Sequence, residues 1–109
     1  MAHRLLALLL TALPAGAGAG EAGWTDAAPV AELRPTVHGR FLVSIPVGHN
    51  PSECRQPRAF YHDRTGPGSE RIYELLLAAA VREMPVRVHV TGVCDLDGRA
   101  AIDEAALRP

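Results

Sequence analysis

Five histidines, two cysteines and a scatter of carboxylates are the side chains here that could do chemistry. The histidines are His38, His49, His62 and His89, with His3 near the start of the chain. Zinc needs three or four converging ligands, usually at recognisable local spacing. No pair here stands as HxH, HxxxH or CxxC, so the histidines read as scattered surface or loop residues and no metal is expected. Asp95-Leu96-Asp97-Gly98 opens like a calcium loop, but Gly98 follows Asp97 directly and no ordered ligand series continues. A tight turn explains it better. Ser44, Ser52 and Ser69 lie outside any G-x-S-x-G setting. Cys54 with His49 or His62 would suit thiolate chemistry only while the thiol is free. Gly66-Pro67-Gly68 lacks the lysine and spacing of a phosphate cradle. No catalytic residue, cofactor or metal is therefore assigned, and the chain reads as a non-enzyme.

A polar binding face is the better candidate. Arg87 and His89 alternate with valines along one strand, and Tyr61 and His62 lie on another. Trp24, the single tryptophan, either docks on the domain or serves as a binding aromatic. These five residues, Trp24, Tyr61, His62, Arg87 and His89, form the expected ligand-binding set. A solvated sheet face is the plainer alternative.

The start of the chain bears on location. His3 and Arg4 precede an almost wholly apolar run from Leu5 to Leu13, Pro14 breaks it, and small-x-small cleavage patterns follow around residues 15–19. This is the layout of a secretory signal peptide. A run of about nine residues is far short of the ~20 a membrane-spanning helix needs, so residues 1–19 are expected to be removed and no membrane anchor is expected. The mature protein is then secreted or periplasmic. Its two cysteines, Cys54 and Cys94, are an even count in an exported chain, which favours a disulfide. Closing a loop of about 40 residues contributes about 4 kcal/mol in the chain-entropy model. That matters for a domain of about 90 residues, whose core is small.

Charge excludes one class of partner. The eleven basic residues are all arginine, and the formal charge of −1 becomes −2 once Arg4 leaves with the leader. A near-neutral domain lacks the footprint needed to neutralise many phosphates, so nucleic acid is excluded as a partner. Arginine without lysine, with abundant Ala, Gly and Pro, is the composition of a GC-rich bacterial genome.

The elements that must position these residues follow from periodicity. Residues 20–28 read as a loose arm or lead-in strand, and residues 29–109 as one domain. Pro29 to Val37 is a strand interrupted by Pro35. Arg40 to Val47 is a clear strand, with Phe41, Val43 and Ile45 on one face. Residues 48–57 form a loop, and Ala59 to His62 a short third strand. Ser69 is expected as the N-cap of a helix that Pro85 ends. Ile72, Leu75, Leu76 and Ala79 form its apolar stripe, broadened by Tyr73, Leu77 and Ala80. Val86 to Val93 and Arg99 to Ala105 are the last two strands, joined at Asp97-Gly98. Three strands, a helix and two more strands describe a β-rich α+β domain. Its best match is a small five-stranded OB-like Greek-key barrel with one packed helix between strands 3 and 4.

From Ser69 to Ile102 the order is a buried helix ending in Glu83-Met84-Pro85, then Val86-Arg87-Val88-His89-Val90, Gly92, Cys94, a turn, and Arg99-Ala100-Ala101-Ile102. This stretch resembles the C-terminal half of small exported bacterial OB-fold proteins, including the binding subunits of subtilase-type AB5 toxins. Cys54, ahead of the third strand, suits the same plan. The resemblance implies an exported, disulfide-bonded barrel that assembles into a homo-oligomeric ring, and in the toxin subunits the barrel binds host glycans. No local motif carries their sugar-contacting residues onto this sequence. The expected function is a non-catalytic module that binds a glycan or a protein outside the cytoplasm. The alternative is a small structural or assembly protein of the bacterial envelope.

Overall fold

The computed structural model describes residues 20–63 and 65–109; the expected leader, 1–19, lies outside them. Among these described residues seven strands and one helix follow in order: β1 (Gly23–Trp24), β2 (Ala28–Pro29), β3 (Glu32–Pro35), β4 (Arg40–Ser44), β5 (Ala59–Asp63), α1 (Ser69–Arg82), β6 (Pro85–Asp95) and β7 (Arg99–Leu107). They form one mixed sheet in the order β1, β6, β7, β5, β4, β3, with β2 also on β6. Every pairing is antiparallel except β5 with β7, where Phe60 faces Ala100 and Tyr61 faces Ala101. The connection between β5 and β6 is where α1 lies.

β2 and β3 sit at opposite ends of the strand order, yet Val30 and Ala31 alone separate them. So short a link reaches about 10 Å at most, so the sheet must curl until its two edges meet. Pro35 marks the last residue of β3, an edge strand, where a missing N–H costs least. The curl encloses a single core. Phe41, Val43 and Ile45 enter it from β4 and the residue beyond, Phe60 from β5, Val86, Val88 and Val90 from β6, and Ala100 and Ile102 from β7. Leu76 and Ala79 of α1 plug its end, both fully buried. Each of the larger apolar side chains contributes about 1.5–3 kcal/mol by leaving water.

Three local expectations change. Residues 20–28 are not a loose arm but a lead-in strand: β1 and β2 pair with β6, and between them Thr25 exchanges hydrogen bonds with Val88. Asp26 then accepts the N–H groups of Gly48 and His49, fastening the arm to the loop after β4. Ser69 is not the N-cap. Gly68 takes that place and has no side chain to cap with, while the Ser69 hydroxyl bonds His62 and Gly66. Leu77 lies 44% exposed and so falls off the buried stripe of α1. The helix ends as expected before Pro85, with Glu83 in the left-handed conformation (φ 57°) and Met84 N–H closing back on Ala79.

The cysteines are joined. Cys54 and Cys94 form a disulfide with a Cα–Cα distance of 5.6 Å, clipping the 48–57 loop to β6. Among the described residues no helix is long and apolar enough to cross a membrane.

Candidate functional site

Two surfaces gather polar side chains, and the expected binding residues divide between one of them and the interior. The first surface lies on the outside of β1, β6 and β7. Val86, Val88 and Val90 point into the core, so Arg87 and His89 point out, and the register sets Trp24 opposite His89. The Trp24 and His89 rings meet edge to face at 5.4 Å, and the Arg87 guanidinium lies 4.4 Å over the indole. Trp24 is thus docked, its face covered by a cation–π contact worth about 1 kcal/mol. Arg87 Nε is buried with no hydrogen-bond partner among the described residues. His89 Nδ1–H donates to Asp103 Oδ1 at 2.7 Å.

Two further residues of this surface, Asp103 and Glu104, escape a reading of the sequence because alternation fails there. His89 pairs with Glu104 but Val90 pairs with Ile102, so β7 carries one extra residue, Asp103. This bulge turns two consecutive carboxylates to the outside. Ala100 and Ile102 face the core, and after the shift Ala105 packs against it. The signal in the sequence is the phase change itself, alanine and isoleucine at even positions giving way to an odd one.

Tyr61 and His62 do not join this surface. Tyr61 is 4% exposed, with Arg40 5.6 Å over its ring. Burial first, then the nearby Asp95 and Asp63 charges, raises its phenol above the ordinary tyrosine value. His62 ties β5 to β7 and α1. A carbonyl only accepts, so Nδ1–H donates to Ile102 O at 2.7 Å, and Nε2 accepts the Ser69 hydroxyl at 2.8 Å. Gly66 N–H in turn donates to Ser69 Oγ. That Ser–His distance would suit a nucleophile and its base. Ser69, however, is 4% exposed, and the pair braces β5 against β7 and the start of α1. The Cys54 thiolate pairings with His49 or His62 are closed off by the disulfide.

The second surface is a cleft of about 650 Å³ between the β3–β4 and β6–β7 hairpin tips. Thr36, His38, Arg40, Leu42, Leu96 and Arg99 line it, with Asp63 and Asp97 at its margins. Arg40 Nε donates to Asp63 Oδ1 at 2.5 Å across directly paired positions of β4 and β5, which raises the guanidinium's affinity for its proton. The β6–β7 tip is unusual: Leu96 (φ 51°), Asp97 (φ 67°) and Gly98 (φ 89°) are all left-handed. The sequence places the turn at Asp97-Gly98, and it begins one residue earlier. A leucine there costs about 1 kcal/mol of backbone strain. Neighbours hold it in place. Arg55 pairs with the Asp97 carboxylate, Gln56 Nε2 donates to Asp97 O at 2.6 Å, and Gln56 N–H donates to Gly98 O at 2.9 Å. A side chain at Gly98 would collide with Arg55, its Cβ 2.8 Å from that of Arg55. Thr36 fixes the other tip by donating N–H and hydroxyl bonds to Arg40 O.

The chain matches no family model and no curated protein.

Proposed function

We propose that this protein is an exported, non-catalytic binding module built as an OB barrel, and that it holds a glycan or a protein in the hairpin-tip cleft. The observation that carries the reading is the cleft's place in the fold. The sheet order β3, β4, β5, β7, β6, with β5 and β7 parallel and α1 between β5 and β6, supports an OB reading of these five strands. In that architecture ligands bind on the second and third strands between the first and the last hairpin loops. Those loops are 36–39 and 96–98, and Arg40, Leu42 and Asp63 supply the strand face. Its mix of arginine, hydroxyl and aliphatic lining suits a polar ligand with apolar patches. The disulfide agrees with an oxidising compartment outside the cytoplasm. The toxin-like version of the reading adds a ring of copies.

A glycan array and an envelope-protein panel, probed with wild type and with Leu42→Arg, test the proposal. Binding by wild type that disappears in a folded Leu42→Arg variant is the expected result. Binding that survives the substitution, or a wild type that binds nothing, overturns it.

One observation favours the second reading, an assembly protein of the bacterial envelope. Leu77 and Val81, one turn apart on α1, are 44% and 74% exposed. Native mass spectrometry of wild type and Val81→Glu tests whether this helix face makes assembly contacts. An oligomer lost in the variant favours assembly, and a wild-type monomer removes it.

A further inference from the structure

We propose that His89, Asp103 and Glu104 form a binding site for a divalent transition-metal ion of the zinc class on the outer face of β6 and β7. Their ligand atoms, one from each side chain, all lie within 4.8 Å of one another. Three ligands bound tetrahedrally at about 2.0–2.2 Å stand about 3.3–3.6 Å apart, so small side-chain rotations bring the three onto one ion. One imidazole with two carboxylates is a donor set that a borderline cation takes, with water completing the shell.

The arrangement belongs to the backbone and not to chance meetings of long side chains. His89 stands directly opposite Glu104, and the bulge at Asp103 sends the neighbouring carboxylate to the same side. The His89 ring packs edge to face with Trp24, and its side chain is 23% exposed. A cation between the three takes the place of the His89–Asp103 hydrogen bond, and the neutral ring then carries its proton on the other nitrogen. The Arg87 guanidinium, two residues away on the same face of β6, lies over the indole. The two carboxylates outweigh it. Histidine spacing alone gives no hint of this site, because its oxygen donors lie 14 and 15 positions further along the chain.

Trp24, the sole tryptophan, touches His89 and reports binding directly. Untagged protein recovered from the medium or periplasm is titrated with Ni2+, followed by tryptophan fluorescence, and Zn2+ is added as competitor. The expected result is saturable quenching with one site per chain that Zn2+ reverses. Affinity falls at least tenfold in His89→Gln and in Asp103→Asn, and stays unchanged in His38→Ala and His49→Ala. His89→Gln keeps a planar side chain against Trp24, and Glu104→Gln is a second variant at a solvent-exposed position. Quenching that does not saturate, or that is equal in wild type, His89→Gln and Glu104→Gln, overturns the site.

Discussion

The outer face of β6 and β7 and the hairpin-tip cleft collect similar residue types, yet they are held by different means. Trp24, Arg87, His89, Asp103 and Glu104 stand on paired strands, so register and one bulge fix their directions. The cleft is walled by two turns, one of them strained, and keeps its shape through tethers from outside the strands. Strand-borne groups are placed precisely and suit an ion that tolerates little error. Tethered loops can adjust to a larger ligand.

Breaking the tethers should therefore separate the two regions. Replacing both Cys54 and Cys94 with serine has the largest expected effect, a loss of about 4 kcal/mol by urea denaturation. Amide exchange should accelerate first around 48–57 and 96–98, while Val88 and Val90 stay protected. Equal acceleration at β6 would contradict the contrast. His62→Ala comes next, because it strands the Ser69 hydroxyl and the Ile102 carbonyl. It should cost about 2–3 kcal/mol, and an active-site serine probe should label neither wild type nor variant.

Asp26 sharpens the comparison from the other side, since it secures the arm that carries Trp24. The hydrogen bond from the His49 amide, foremost, holds its carboxyl below the ordinary carboxylate value; burial opposes it and the Gly48 amide adds to it. The folded value thus lies below the unfolded one. Its contribution is complete above about pH 4 and disappears as pH falls through the folded value. Asp26→Asn should cost about 1 kcal/mol and flatten that acid limb, with Trp24 emission moving to the red. An unchanged acid limb would argue against the clamp. Asp63→Asn should have the smallest effect on stability, under about 1 kcal/mol for a half-exposed pair. It frees Arg40 and should change ligand affinity in the cleft while leaving Trp24 fluorescence untouched.

Much of the fold was legible because periodicity follows burial. Phe41, Val43 and Ile45 alternate, as do Val86, Val88 and Val90, and all six reach the core. The helix showed in Leu76 and Ala79, and its end in Pro85. The lead-in strand was harder to read, since Gly23-Trp24 and Ala28-Pro29 are too short to show a period and are fixed by β6 alone. The site was half legible. Alternation put Arg87 and His89 on the outer face and left Trp24 between two fates, but Asp103 and Glu104 depend on a bulge. The cleft draws on three stretches far apart in sequence. Tyr61 and His62 sit on a strand flanked on both sides: Tyr61 is buried beneath Arg40, and both His62 ring nitrogens are taken by Ile102 and Ser69.

The most direct test of the central claim maps binding onto these two regions. Two-dimensional amide spectra of the isotope-labelled protein should be recorded with a hit from the glycan or protein screen. Shifts confined to residues 36–42 and 96–99, with the Trp24 indole and His89 unmoved, are the predicted result. Shifts centred on Trp24, Arg87 and His89 would place the ligand on the wrong surface and contradict the account.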